Sequence, residues 1–353
     1  MCDGAAFDSA ERADPPRCHP ETRTTILSPA SSWVNDIEAV CFYLWITGWA
    51  GVGKSAILQT LAEEFAQKKR LAASFFFFQA SRGRKSTRGF IATIAYQLME
   101  SVPGARETIL RKISHNPAIF DNKSFNGQWQ TLVVDTLCDC RPPAPSPPML
   151  IVVDGVDEII SREEQKTLLE AILWSTPRLH PAGYKLLIAS RPEEQIEAIF
   201  KNPPLGFSKS NRVNLDDDES TRADIGLFLR DTLSRIRERK PHLSAPTARN
   251  WPAQSTIDCL VKKASGQFIY AKTIVRFVED FNGDPQDVLQ VIMSRDPHLK
   301  SFKELDYLYL LLMERIQTWT PKTNRGLLHH LLVCIYMHLG ASTYPHEDLY
   351  SFP

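Results

Sequence analysis

One eight-residue segment constrains the fold of this chain more than any other. Residues 48–55 read Gly-Trp-Ala-Gly-Val-Gly-Lys-Ser and satisfy every fixed position of the phosphate-binding pattern G-x-x-x-x-G-K-[ST]. The apolar run at residues 41–46 predicts a buried strand before the loop, and apolar residues at helical spacing follow it. A strand, a glycine-rich loop and a helix start bring backbone N–H groups around an anion. The segment therefore predicts a phosphate site rather than a glycine-rich turn without a ligand.

The pattern also assigns roles within this loop. We expect Lys54 to reach the β- and γ-phosphates of a nucleotide, and the Ser55 hydroxyl to ligate Mg²⁺. The residues predicted to contact the nucleotide here are Gly48, Ala50, Gly51, Val52, Gly53, Lys54, Ser55 and Ala56.

A second apolar strand ends in acidic residues. Residues 150–158 read Leu-Ile-Val-Val-Asp-Gly-Val-Asp-Glu, and Asp154 is predicted to hold the water shell of Mg²⁺ opposite Ser55. Gly155 occupies the position where many fast ATPases carry a glutamate that activates water. Asp157 or Glu158 could polarise water from a different position, so we expect slow hydrolysis. The alternative is a group of acids that faces solvent.

The strand predicted at residues 185–189 is followed by Ser-Arg-Pro. Arg191 would lie beside the Mg²⁺ strand and could contact the γ-phosphate through charge-assisted hydrogen bonds. Such a contact would distinguish ATP from ADP. The alternative is a surface arginine at the end of a strand.

Strands alternate with helices in the first part of the chain, which predicts a parallel sheet covered on both faces. The predicted strands are residues 41–46, 71–78, 149–153, 185–189 and 212–215. After the acidic run at residues 216–219, which we expect to be a solvated helix start, only helical patterns follow, among them residues 268–278 and 305–319.

Composition excludes some function classes. Lys+Arg and Asp+Glu both number 41, and this zero formal charge argues against nucleic acid or an anionic membrane as the main partner. No run reaches about 18 apolar residues, and the N-terminal residues lack a signal-peptide pattern. Seven cysteines without paired CxxC spacing suggest reduced thiols, so we expect a cytoplasmic protein.

Together these motifs resemble the NACHT class of STAND nucleotide switches, and most closely the fungal NLR-like group with a nephrocystin-like P-loop domain. The phosphate loop, the Asp-Gly-Val-Asp-Glu box and the Ser-Arg-Pro segment match that family's motifs. Residues 18–23 resemble its C-x-P-G-T-R lead-in, which implies that Thr22 and Arg23 lie near the adenine. Residues 264–271 and 305–309 resemble its helical-domain signatures.

The resemblance implies a P-loop NTPase of the α/β class with a five-stranded parallel sheet in the order 5-1-4-3-2. It implies a loosely ordered lead at residues 1–20, a NACHT domain at 21–218, a helical domain at 219–322 and a truncated start of a winged helix at 323–353. ATP or ADP with Mg²⁺ would be bound, and the P-loop domain would be a surface for self-association. The effector and repeat-sensor domains usual in such proteins are not recognisable in the sequence.

The function implied is a slowly hydrolysing signalling switch, of the kind used in fungal innate immunity or heterokaryon incompatibility. Two alternatives remain: a turnover ATPase or kinase-like enzyme, and a truncated nucleotide-binding remnant that does not switch. GTP is less favoured than ATP, because residues 122–125 read Asn-Lys-Ser-Phe and lack the aspartate of a guanine-reading N-K-x-D motif. Phe268 stands where animal relatives place a proline that touches the nucleotide, which puts that contact in doubt.

Overall fold

The computed structural model describes residues 1–12, 14–39, 41–81, 83–141, 146–201, 211–217, 219–239, 251–280 and 284–293. They fall into two compact units. The first comprises Met1–Phe228 together with Gly266–Ile269, and the second begins at Leu229 and includes the described residues on either side of that short segment. The helix predicted at residues 305–319 and the winged-helix start at 323–353 lie outside the described residues.

The first unit is built on a five-stranded sheet in which neighbouring strands pair in parallel. The strand order is β2-β3-β4-β1-β5, which confirms the predicted order when it is read from the other edge. Each of the first four strands is buried along its whole length, as expected for parallel strands with helices on both faces. The strands are β1 Tyr43–Thr47, β2 Leu71–Phe76, β3 Met149–Asp154, β4 Tyr184–Ser190 and β5 Asn211–Asn214.

Helices connect these strands and continue into the second unit. Three short 3-10 helices at Ala10–Arg12, Val156–Glu158 and Leu215–Asp217 and a π-helix at Trp129–Val134 accompany them. The α-helices are α1 Thr24–Asn35, α2 Lys54–Gln67, α3 Phe90–Ser101, α4 Ala105–His115, α5 Ile119–Asn122, α6 Phe125–Gln128, α7 Asp135–Asp139, α8 Arg162–Leu179, α9 Glu194–Lys201, α10 Thr221–Arg239, α11 Gln254–Ala264, α12 Phe268–Asp280 and α13 Pro285–Met293.

Side-chain alternation along the strands divides the core into two layers. Leu44 and Ile46 of β1 belong to a layer that contains the buried residues of α1 and α2. Tyr43 and Trp45 belong to the other layer, which contains buried residues of α3, α4, the π-helix and α8. The phosphate loop leads into α2, which covers one face of the sheet, whereas α3 and α8 cover the opposite face.

The N-terminal segment lies against β2, the edge strand of the sheet. The backbone N–H of Phe76 donates to the Ala5 carbonyl at 2.9 Å, and the N–H of Phe7 donates to the Ser74 hydroxyl at 3.0 Å. An edge strand has unpaired backbone groups, and covering them removes a site for unwanted strand pairing. The sequence predicts a loosely ordered lead at residues 1–20, whereas the structure holds its first part in place by these bonds.

The second unit is helical in its described part. α11 packs against α13. Each of the four helices contributes apolar side chains with 0% exposure, among them Leu233, Leu260, Ile274 and Leu289. α12 contains the helical pattern predicted for residues 268–278. Among the described residues, no helix has both the length and the apolar character needed to cross a membrane.

Candidate nucleotide-binding site

The phosphate loop joins the end of β1 to the start of α2, as its motif predicts. α2 begins at Lys54, so the backbone N–H groups of its first turn have no partners within the helix and are available to an anion. Gly51 has a φ of 79°, a left-handed conformation that other residues rarely adopt. A Cβ at Gly51 would also lie 2.4 Å from Cγ2 of Ile269. Both the backbone conformation and the available space therefore require glycine at this position.

Lys54 is held by the loop that it belongs to. Its Nζ donates to the carbonyl oxygen of Gly48 at 2.6 Å and to that of Trp49 at 3.0 Å. Burial lowers the pKa of Lys54, and the negative charges of Asp157 and Asp154 oppose that shift. The ammonium group is therefore part of one electrostatic cluster with the acidic residues that follow β3.

Asp154 is the last residue of β3 and is 3% exposed. Burial raises its pKa to about 6, while the neighbouring Ser55 hydroxyl and the charge of Lys54 act in the opposite direction. Its Oδ1 is buried and has no hydrogen-bond partner among the described residues. A carboxylate oxygen without a partner beside a hydroxyl is a donor set that suits Mg²⁺, so Ser55 and Asp154 fit their predicted role as metal ligands.

Asp157 and Arg191 form a close pair. Asp157 Oδ1 accepts a hydrogen bond from the backbone N–H of Arg191 at 2.9 Å, and its Oδ2 lies 3.0 Å from Arg191 Nε. The Asp157 side chain is 5% exposed. The backbone N–H of Gly155 donates to the Ala189 carbonyl at 3.0 Å and fixes the ends of β3 and β4 beside each other. Asp157 is thus engaged in positioning Arg191.

Glu158 is the second acid predicted to act on water. It ends the short 3-10 helix after β3, and its Oε2 accepts a hydrogen bond from the backbone N–H of Gln79 at 2.9 Å. Burial raises the pKa of Glu158 to about 7, and the negative charges of Asp157 and Asp154 add to the shift. A carboxyl group with this pKa exchanges protons near neutral pH, as a general base must.

Thr22 and Arg23, predicted to lie near the adenine, are both buried. The Thr22 hydroxyl donates to the His19 carbonyl at 2.7 Å. Arg23 donates from Nη2 to the carbonyl oxygen of Val52 at 2.7 Å and from Nη1 to the Thr221 hydroxyl at 2.7 Å. The structure therefore places Arg23 against the phosphate loop, where its guanidinium joins Val52 of the loop to Thr221.

Three residues that the sequence analysis did not assign to the site also support it. Asp216 is exposed, as predicted for the acidic run, and its Oδ1 also accepts from the backbone N–H of Trp49 at 3.1 Å. Asp224 Oδ2 accepts from the backbone N–H of Arg23 at 3.0 Å. The backbone N–H of Ile269 donates to the Gly51 carbonyl at 3.1 Å. These contacts join residues far apart in the chain, which a local motif cannot reveal.

Comparison with known proteins agrees with this geometry at the level of fold. Residues 22–191 match the family model described as Nephrocystin 3, N-terminal, and this range contains the phosphate loop, the acidic box and Arg191. The fold is that of a P-loop NTPase. A comparison with curated proteins found no match to the sequence.

Two solved structures show a distant likeness to this chain. The structure of PCH-2 from C. elegans has a TM-score of 0.39 at 11% identity, covering 77% of this chain and 69% of that chain. The structure of Drosophila ORC bound to DNA has a TM-score of 0.43 at 14% identity, covering 93% of this chain and 84% of that chain. Likenesses this distant have no bearing on substrate or partner.

Proposed function

We propose that this chain is a nucleotide-dependent signalling switch of the NACHT or STAND class. It binds ATP or ADP with Mg²⁺, hydrolyses ATP slowly and signals through self-association of its P-loop domain. The setting we propose is the one suggested by the resemblance to fungal NLR-like proteins, namely innate immunity or heterokaryon incompatibility. The family-model match at residues 22–191 supports the nucleotide-binding part of this proposal.

The observation that carries the switch proposal is the link between the phosphate loop and the start of α12. Ile269 donates its backbone N–H to Gly51 of the loop. The Arg23 guanidinium lies 4.9 Å from the ring centroid of Phe268 and also donates to the Val52 carbonyl. Phe268 and Ile269 are the first residues of α12, whose remaining residues belong to the second unit. A change in loop conformation would therefore reach α12 directly.

Different residues of the site would bind the phosphates, the metal ion and the terminal phosphate. The backbone N–H groups of the loop and the Lys54 ammonium bind phosphate oxygens, and Ser55 and Asp154 would hold Mg²⁺. The ion supplies positive charge that neutralises the phosphates when it is bound. Arg191, oriented by Asp157, is placed to sense the terminal phosphate by its charge.

The same residues argue for slow hydrolysis. Gly155 follows Asp154 directly and provides no side chain to activate water, and its φ of 72° favours glycine. Asp157 is committed to Arg191 by two contacts. Glu158 is the remaining acid of the box, and its carboxylate already accepts a hydrogen bond from Gln79. A nucleotide in such a site is retained longer than in an enzyme built for turnover.

The pKa of Glu158 favours one alternative, a turnover ATPase. A base that titrates at about 7 is efficient near neutral pH, and general-base catalysis contributes roughly 10²- to 10⁴-fold to a rate. Steady-state hydrolysis distinguishes the two functions. The switch predicts turnover well below about 1 s⁻¹, which is the lower end of ordinary enzyme rates.

Hydrogen–deuterium exchange of α12 tests the switch. We expect the amides at the start of α12 to exchange at different rates with Mg²⁺–ADP and with a non-hydrolysable ATP analogue, because the Ile269 amide is bonded to the loop. Peptides from α8, which contributes none of the loop contacts described above, are the internal control. Equal protection of α12 in both nucleotide states would contradict the proposal, even if both nucleotides bind.

A further inference from the structure

A second group of basic side chains surrounds an open cavity of about 380 Å³ in the first unit. Its basic residues come from α4 and from the segment that follows α5, and Asn116 and Thr131 add polar groups. The cavity shares no residue with the phosphate loop. α4 packs in the core layer on the opposite side of the sheet from α2, the helix that follows the phosphate loop. The basic residues are Arg111, Lys112, His115 and Lys123.

Positive charge at the cavity is only partly balanced. Lys112 lies 3.2 Å from Asp139, and its Nζ also donates to the Thr136 hydroxyl. Lys123 Nζ donates to the Thr131 hydroxyl at 2.8 Å, which leaves two of its three N–H groups available. The Arg111 guanidinium has no hydrogen bond or ion pair within the described part of the chain. No carboxylate is among the described residues that line the cavity.

The helix that forms one wall of the cavity is irregular. α6, the π-helix Trp129–Val134 and α7 follow one another without interruption. Three consecutive residues of the π-helix, Leu132, Val133 and Val134, are fully buried, while Thr131 lies at the cavity. A π turn is rare and less stable than an α turn, and such turns are frequently found at functional sites. Its position beside the basic cluster is a second indication of a ligand site.

We propose that this cavity binds a small ligand with two or more phosphate groups. The volume is at the lower end of the roughly 300 to 1,000 Å³ of small-molecule pockets. Arginine and lysine are the side chains that bind phosphate most strongly, through short charge-assisted hydrogen bonds. A nucleic acid would require a wider basic surface, and the zero formal charge of the chain does not favour one. The site is independent of the nucleotide switch proposed above.

Titration calorimetry of the full chain with sodium tripolyphosphate tests this assignment. We expect Arg111→Ala and Lys123→Ala each to weaken binding about tenfold or more, since a hydrogen bond to a charged group contributes about that factor. Arg106→Ala is the matched control, because Arg106 is an exposed arginine of α4 that does not line the cavity. Lys54→Ala removes binding by the phosphate loop, and the cavity should still bind one ligand in that variant.

Three results would overturn the proposal. Binding lost in Lys54→Ala and unchanged in Arg111→Ala and Lys123→Ala would assign the ligand to the phosphate loop alone. An equal loss in Arg106→Ala would show attraction by diffuse surface charge. Tighter binding of a polyglutamate peptide or a single-stranded RNA at the same residues would show a macromolecular occupant. Thermal unfolding checks that each variant is folded; Arg106, Arg111 and Lys123 are exposed, so the midpoints of these three variants should agree with wild type.

Discussion

The carboxylate of Asp157 holds Arg191 at two points, the backbone N–H at 2.9 Å and Nε at 3.0 Å. The pair joins the segment after β3 to the residue that follows β4, beside Asp154. It makes the side chain of Arg191 a rigid element of the nucleotide site. The proposed ability to distinguish ATP from ADP depends on that rigidity.

Asp157→Asn is expected to reduce nucleotide discrimination. Asparagine keeps the size of the side chain and can still accept from the Arg191 backbone, but it removes the charge that orients the guanidinium. We expect the ratio of ATP to ADP affinity to fall about tenfold, the effect of roughly one charged hydrogen bond. Equilibrium binding with fluorescent nucleotide analogues measures the ratio. Glu194→Gln, at an exposed acid of α9, is the control, and an unchanged ratio in Asp157→Asn would remove Arg191 from the sensing role.

Gly51→Ala is expected to destabilise the folded chain. The φ of 79° costs a residue with a side chain more than about 1 kcal/mol, and overlap with Ile269 adds roughly 1 to 3 kcal/mol. In the double variant Gly51→Ala with Ile269→Ala, the 2.4 Å overlap with Cγ2 is removed, while the backbone strain and a 3.1 Å approach to the Cβ of residue 269 remain. In urea unfolding, the double variant should therefore lose less stability than the sum of the losses in the two single variants. Purely additive losses would show that Ile269 does not contact the loop in solution.

Glu158→Gln separates slow hydrolysis from binding. If Glu158 is the base, ATP hydrolysis in wild type rises with pH up to about 7 and then levels off, because the deprotonated carboxylate is the active form. The variant should lose roughly 10²-fold or more in rate and lose that pH dependence. Nucleotide affinity should change little. A variant with the wild-type pH profile would assign water activation to another group.

Lys185→Met tests a buried cation in β4. Lys185 is fully buried, and its Nζ donates to the carbonyl oxygens of Trp33 and Asp36 at the end of α1. Methionine fills a similar volume but removes both charged hydrogen bonds, each of which contributes about 1.5 to 3 kcal/mol. Each carbonyl keeps one backbone donor, the N–H of Asp36 for Trp33 and the N–H of Ala39 for Asp36. We expect a loss of stability of this order in urea unfolding at pH 7. Lys166→Met, at an exposed lysine of α8, should have little effect.

The same lysine gives a pH dependence with a definite sign. Burial lowers the pKa of Lys185 from 10.5 to about 8, so between these values the unfolded chain binds more protons than the folded chain. The contribution of Lys185 to the free energy of unfolding therefore rises with pH across this window. The difference between wild type and Lys185→Met should increase from pH 8 to pH 10.5. A difference that is constant or decreases would contradict the assignment.

Much of the nucleotide site can be predicted from the sequence, because its residues lie in two short motifs at strand ends. The strand before the loop and the acids after β3 are local patterns, and parallel pairing places the carboxyl ends of the strands at one edge of the sheet. The strand order came from the resemblance, since apolar runs alone do not determine which strands are neighbours. The spacing of its apolar residues also predicts helix α12.

The contacts that support the loop could not be predicted in this way. Arg23 and Asp224 are 201 positions apart, and Trp49 and Asp216 are 167 apart. The contact of Ile269 with Gly51 depends on the path of a helix that begins more than 200 residues after the loop. Such pairings follow from the packing of whole elements. The absence of a proline at Phe268 puts a nucleotide contact there in doubt, but the next residue, Ile269, bonds to the loop through its backbone.

The measurement that tests the central claim most directly is the identity of the nucleotide that co-purifies with residues 1–353, with its exchange rate, in wild type and in Lys54→Ala. For the proposed switch we expect ADP that is tightly held, exchanges slowly and is absent from the variant, because Lys54 and the loop N–H groups bind its phosphates. A wild-type chain that carries no nucleotide and binds neither ATP nor ADP in the presence of Mg²⁺ would contradict the account.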